Sequence, residues 1–141
     1  MSARKRLVLQ ISDDAEKDLR RLKKIDVSLA SIALRLLQQI GNGALTGTPL
    51  EHLPKFGDLS DCRKVYFGYG SPPTHRIVYR IVNETVIEIV DVVAVETRDD
   101  AYVYLLTALR LQRLPKETQP EYQSVHQRMI ASRAAKKDKK S

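Results

Sequence analysis

The sequence predicts an α+β fold: an N-terminal strand and a helical hairpin packed on an antiparallel sheet, closed by a C-terminal helix. Three observations predict it. Apolar residues recur at helical spacing between Asp13 and Ile40, Val-, Ile- and Tyr-rich runs replace that spacing from Cys62 to Val95, and helical spacing returns from Ala101 to Leu109.

Leu7-Val8-Leu9-Gln10-Ile11 reads as a short strand. Ser12 ends it and offers a helix N-cap, with Asp13 and Asp14 in the acidic first turn that the helix dipole favours. Ala15, Leu19, Leu22 and Ile25 then form an apolar stripe, opposite the basic Lys17, Arg20, Arg21 and Lys24. After Asp26, a second stripe of Leu29, Ile32, Ala33, Leu36, Leu37 and Ile40 stops at Gly41-Asn42-Gly43, which predicts a helical hairpin. Residues 44–60 hold Pro49, Pro54 and Gly57 among the isolated Leu45, Leu50, Leu53 and Phe56, the pattern of a loop anchored by single apolar side chains. Strands are expected over 62–67, 74–82 and 85–95, joined by turns at 68–73 and at Asn83-Glu84. The third is the most apolar and is expected in the interior of the sheet, covered in part on both faces. Asp99 and Asp100 open the last helix, whose stripe is Ala101, Tyr104, Leu105, Ala108 and Leu109, and Pro115 closes it. The domain is therefore expected over 1–115, followed by a basic extension, 116–141, partly helical around Tyr122, Val125 and Met129 or disordered.

With 141 residues, 43% hydrophobic and 29% charged, the chain has the balance of a single soluble domain. No apolar run reaches the length of a membrane span, and Leu7–Ile11 is too short for the core of a signal peptide, so a cytoplasmic location is expected. Cys62 is the only cysteine, which excludes an internal disulfide or a cysteine-built zinc site. His52, His75 and His126 are scattered, and no metal or cofactor is expected. The net charge of +7 favours an anionic partner, nucleic acid first. From Lys116 onward there are seven Lys/Arg against three Asp/Glu, so the domain itself is only mildly basic and any nucleic-acid site within it depends on local clustering.

Neither Gly41-Asn42-Gly43 nor Gly68-Tyr69-Gly70 has the spacing of a phosphate-binding loop, no serine sits in a nucleophile elbow, and Cys62 reads as a small buried residue. What remains is a basic and tyrosyl set: Arg63, Lys64 and Tyr66 on one strand, His75, Arg76, Tyr79 and Arg80 on the next, then Arg98 and Tyr104. Alternation along a strand puts Arg76 and Arg80 on one face and His75 and Tyr79 on the other, and puts Lys64 with Tyr66. If the faces of Lys64 and Arg76 coincide, two cations converge on one phosphate, as a pentacoordinate transition state requires.

Three segments resemble the RelE/ParE toxin family: Asp61-Cys62-Arg63-Lys64-Val65-Tyr66-Phe67, His75-Arg76-Ile77-Val78-Tyr79-Arg80, and Val95-Glu96-Thr97-Arg98-Asp99-Asp100-Ala101-Tyr102-Val103-Tyr104. The likeness runs in order over about residues 7–113. It implies a microbial-ribonuclease-like RelE fold and, for the RelE branch, cleavage of messenger RNA in the ribosomal A site by the substrate's own 2′-hydroxyl, without a metal. On that resemblance Lys64, Arg76, Arg98 and Tyr104 match catalytic positions. Lys64 and Tyr104 would orient or deprotonate the 2′-hydroxyl, and the arginines would neutralise the phosphate. Tyr66 stands where the RelE branch has a second lysine, and with Arg63 and Arg80 it is expected to contact RNA, by stacking or by charge. The family also implies a cognate antitoxin covering the sheet. Two alternatives are a ParE-type inhibitor of DNA gyrase and a silent module that binds RNA or antitoxin only. At single residues, Tyr79 reads as core, Tyr104 suits packing and function equally, and the competing role for Arg76 and Arg98 is an ion pair with Glu88, Asp91, Asp99 or Asp100.

Overall fold

The computed structural model describes residues 6–50, 58–70, 73–94, 100–113 and 115–116, with backbone alone at 94 and 100–104. The elements follow in the order β1 (Val8–Ile11), α1 (Asp13–Ile25), α2 (Val27–Gly41), β2 (Thr48–Pro49), β3 (Cys62–Phe67), β4 (His75–Ile81), β5 (Val86–Ala94) and α3 (Asp100–Arg110). This is the α+β architecture read from the sequence, with two differences in the sheet: the direction of β1 and the presence of β2. Its order is β1-β5-β4-β3-β2, antiparallel from β5 to β2, but β1 lies parallel to β5. The α1–α2 hairpin between β1 and the meander returns the chain to the same end, so β1 and β5 run in the same direction. The sheet is therefore mixed, and β5 is interior, between β1 and β4.

Helix boundaries follow from local chemistry. Ser12 Oγ accepts from Ala15 N at 3.1 Å and caps α1. Asp26 closes α1 through its own N–H to the Leu22 carbonyl (2.7 Å) and opens α2 by accepting from Leu29 N at 3.1 Å, so one residue turns the hairpin. Gly43, at φ 80°, takes the left-handed conformation just past α2. After α3 the same position falls to Gln112, at φ 58°, and Arg113 N donates back to the Ala108 carbonyl at 2.8 Å.

The sheet separates two cores. On one face Ala15, Leu22, Leu29, Ala33, Leu37 and Ile40 of the hairpin pack against Phe67, Ile77, Tyr79, Ile87, Ile89 and Val92. On the other, Leu105, Leu106 and Ala108 of α3 pack with Leu50, Leu59, Cys62, Val78, Val90 and Val93. Ile25 departs from its expected place in the stripe. At the last position of α1, where the chain turns away into Asp26, it is 72% exposed.

Segment 44–50 is pinned as expected, by Leu45 and Leu50, but it also contributes the short edge strand β2. Gly47 makes that approach possible, because a Cβ there would lie 2.7 Å from the Lys64 carbonyl oxygen. Leu53, Phe56 and His52, residues 95–99, and the helix expected around Tyr122 lie outside the described residues. Among the described residues no helix is long and apolar enough to cross a membrane.

Candidate functional site

Strand register decides which side chains share a face. β3 and β4 pair regularly, Cys62 opposite Arg80, Lys64 opposite Val78 and Tyr66 opposite Arg76. Paired residues project to the same side of a sheet, so Lys64, Tyr66, Arg76 and Arg80 all lie on the α3 face. The condition posed by the sequence is met: the faces of Lys64 and Arg76 coincide. Lys64 Nζ stands 5.5 Å from the centre of the Tyr66 ring, and Tyr66 is 38% exposed, giving a cation and an aromatic surface side by side on β3.

The two arginines of β4 are differently placed. Arg80 is partly exposed and ion-paired with Glu88 across the β4–β5 ladder at 3.1 Å. Arg76 is 1% exposed, with Nε 3.5 Å from Oδ1 of the fully buried Asp91. Burial pushes the Asp91 carboxyl up from its ordinary pKa, and the Arg76 guanidinium opposes that shift. Thr107 of α3 donates to the other oxygen, Oδ2, at 3.2 Å.

A bulge makes this arrangement possible. Val78 pairs with Asp91 but Tyr79 pairs with Ile89, leaving Val90 as the extra residue, so Val90 and Asp91 both face α3. β1 has ended at Ile11 by this point, and side chains take over from its backbone. Asp18 Oδ2 accepts from Val92 N at 3.0 Å, and Arg110 Nη1 donates to the Val90 carbonyl at 3.0 Å. The two are also joined by a bidentate ion pair, at 2.6 and 3.0 Å, which links α1, β5 and α3.

The amino-acid pattern of residues 9–101 matches the family model described as ParE toxin of type II toxin-antitoxin system, parDE. The chain belongs to that toxin family. It thus falls in the RelE/ParE superfamily of type II toxin-antitoxin systems. Among solved structures it is similar to the toxin–antitoxin complex RelBE2 from Mycobacterium tuberculosis, at 21% identity and TM-score 0.49, over 63% of this chain and 98% of that one. It is also similar to the YoeB dimer from Staphylococcus aureus, at 27% identity and TM-score 0.45, over 62% and 94% respectively. No curated protein sequence matches.

For this toxin the remaining expected residues divide clearly. Arg63, paired with Tyr79, lies on the hairpin face, opposite Lys64, and Nη1 donates to the Gly47 carbonyl at 2.9 Å. Tyr79 is core, and its hydroxyl accepts from Gly47 N at 2.8 Å, so both fix the edge strand. His75 is half-buried against Phe67, and burial pushes its imidazole pKa down from the ordinary 6.5. Cys62 is buried, and its thiol is pushed up to about 12. Arg98 and the side chain of Tyr104 lie outside what is described, although the Tyr104 backbone sits in α3, one turn before Thr107. Asp18, Thr107 and Arg110 were not singled out by sequence reasoning. The available signal was that Asp18 lies three residues after Ala15 and four before Leu22, within the apolar stripe of α1.

Proposed function

We propose that this toxin is a metal-independent endoribonuclease that cleaves messenger RNA at the ribosomal A site, and that a cognate antitoxin holds it inactive by covering the sheet. The supporting observation is the register that puts Lys64, Tyr66, Arg76 and Arg80 on one face. In this reading the 2′-oxygen attacks the adjacent phosphorus and the P–O5′ bond breaks. The 2′-hydroxyl proton passes to a base, and the departing 5′-oxygen gains one. Lys64, with Tyr104, orients or deprotonates the hydroxyl, and Tyr66 stacks on a base. Arg76 and Arg98 neutralise the charge that builds on the phosphate. Arg76 acts on the phosphate with Asp91 still beside it, its guanidinium shared between that carboxylate and the substrate. Residues 1–115 form the acting domain, and the basic residues of 116–141 add nonspecific attachment to RNA. Such a target places the toxin in the cytoplasm.

The test is to induce the wild-type chain and Arg76→Ala/Arg98→Ala in cells and to map the 5′ ends of translated messenger RNA within minutes. New ends in reading-frame register, absent with the double variant, are expected. The burial of Arg76 favours one second reading, a ParE-type inhibitor of DNA gyrase that cleaves nothing, because it withdraws an arginine from the surface. Growth arrest with intact messenger RNA and a DNA-damage response would establish that reading instead.

A further inference from the structure

Asp91 joins two parts of the candidate site that come from different elements. Its Oδ1 lies 3.5 Å from Arg76 Nε on β4, and its Oδ2 accepts from Thr107 Oγ1 on α3 at 3.2 Å. Thr107 is one helical turn beyond Tyr104, so a single carboxylate fixes both the arginine and the helix that bears the tyrosine. Packing does not require a charge there. Val78, its partner across the β4–β5 ladder, belongs with Val90, Val93, Leu105 and Leu106 to the apolar core of this face, and a buried ion pair is commonly no more stabilising than an apolar pair of the same shape. The Val90 bulge turns Asp91 toward α3, where regular alternation after Ile89 would send it to the hairpin face.

We infer that Asp91 is a positioning residue for the toxin's reaction: it holds Arg76 and α3 in one fixed relation, so that the groups acting on the phosphate and on the 2′-hydroxyl are aligned before RNA binds. The inference rests on the cleavage reading above. A group that aligns others without touching substrate affects turnover more than affinity, since misplacement of reacting groups by about 1 Å costs on the order of a hundred-fold.

The experiment measures kcat and KM of the purified full chain on ribosomes programmed with messenger RNA, for wild type, Asp91→Asn, Thr107→Val and Thr107→Ser, with the folded fraction of each determined by circular dichroism. Asp91→Asn is expected to lower kcat roughly a hundred-fold with KM within about two-fold. Thr107→Val should lower kcat by about ten-fold, and Thr107→Ser, which keeps the hydroxyl, should restore it. If Asp91→Asn does not fold, the two Thr107 variants carry the test by the same contrast. Wild-type kcat in both Asp91→Asn and Thr107→Val, or losses that only track the folded fraction, would overturn the positioning role while leaving the cleavage reading intact. A wild-type chain that cuts no RNA under these conditions would overturn both.

Discussion

The two faces of the β3–β4–β5 sheet are built from the same strands and filled by different rules. On the hairpin side, Ile77, Ile87, Ile89 and Val92 meet a largely apolar helical pair whose buried Asp18 accepts from Val92 N and pairs with Arg110, and Tyr79 and Arg63 hold Gly47. On the α3 side, Cys62, Val78, Val90 and Val93 share the interior with Arg76, Asp91 and Thr107, while Lys64 and Tyr66 continue the same face to the surface. A face that buries an arginine and an aspartate gains little stability from them over apolar residues. The hairpin face is thus the more apolar, and the α3 face holds the buried Arg76–Asp91 pair with Lys64 and Tyr66 at its edge.

The largest effect is expected at the Asp18–Arg110 pair, which bridges the two sides around the end of β1. Arg110→Ala leaves Asp18 buried without its cation and is expected to destabilise the fold by about 3–5 kcal/mol, measured by urea unfolding. A loss under about 1 kcal/mol would show that the bridge is dispensable. On the hairpin face, Ile89→Ala should cost about 2–5 kcal/mol, by cavity formation in the same assay. Tyr79→Phe should cost about 1–3 kcal/mol, because Gly47 N loses its acceptor in a buried place. If Tyr79→Phe is neutral, the edge strand is held without the tyrosine hydroxyl, by β2–β3 pairing, Arg63 and the Leu45 and Leu50 anchors.

A smaller effect concerns protons. The folded-state pKa of His75 is depressed, so the unfolded chain binds its proton more readily. The contribution of His75 to stability is therefore present above about 6.5 and is lost as pH falls through the lower folded value. His75→Gln should flatten that part of the stability–pH curve, and an unchanged slope would remove His75 as its source. Smallest in energy is the Cys62 thiol, pushed up to about 12 by burial. It should resist thiol reagents at neutral pH until the chain is unfolded, and rapid labelling of the native protein would contradict the packing of the α3 core.

Much of the fold was legible in the sequence because local chemistry wrote it there. Ser12 and Asp26 cap the helices, Gly43 stops α2, and Leu45 and Leu50 anchor the segment before β3. Period-2 alternation also separated Arg76 and Arg80 from His75 and Tyr79. The rest depends on long-range geometry. The parallel placement of β1 and the β2 pairing of a segment that reads as loop follow from how distant strands meet. That Lys64 shares a face with Arg76, and Arg63 does not, follows from β3–β4 register. The bulge at Val90 is likewise silent in a run of apolar residues, and with it the burial of Asp91 against Arg76. Asp18 was not singled out, because nothing local marks the end of β1 as a place for its carboxylate.

Lys64 and Arg63 are neighbours in sequence and lie on opposite faces, so the most direct test is to compare them. Messenger-RNA 5′ ends would be mapped after induction of Lys64→Ala and of Arg63→Ala at matched levels of folded protein. Lys64→Ala is expected to abolish the in-frame cuts and Arg63→Ala to keep them. Cuts that survive without Lys64 and vanish without Arg63 would contradict the placement of the site on the α3 face.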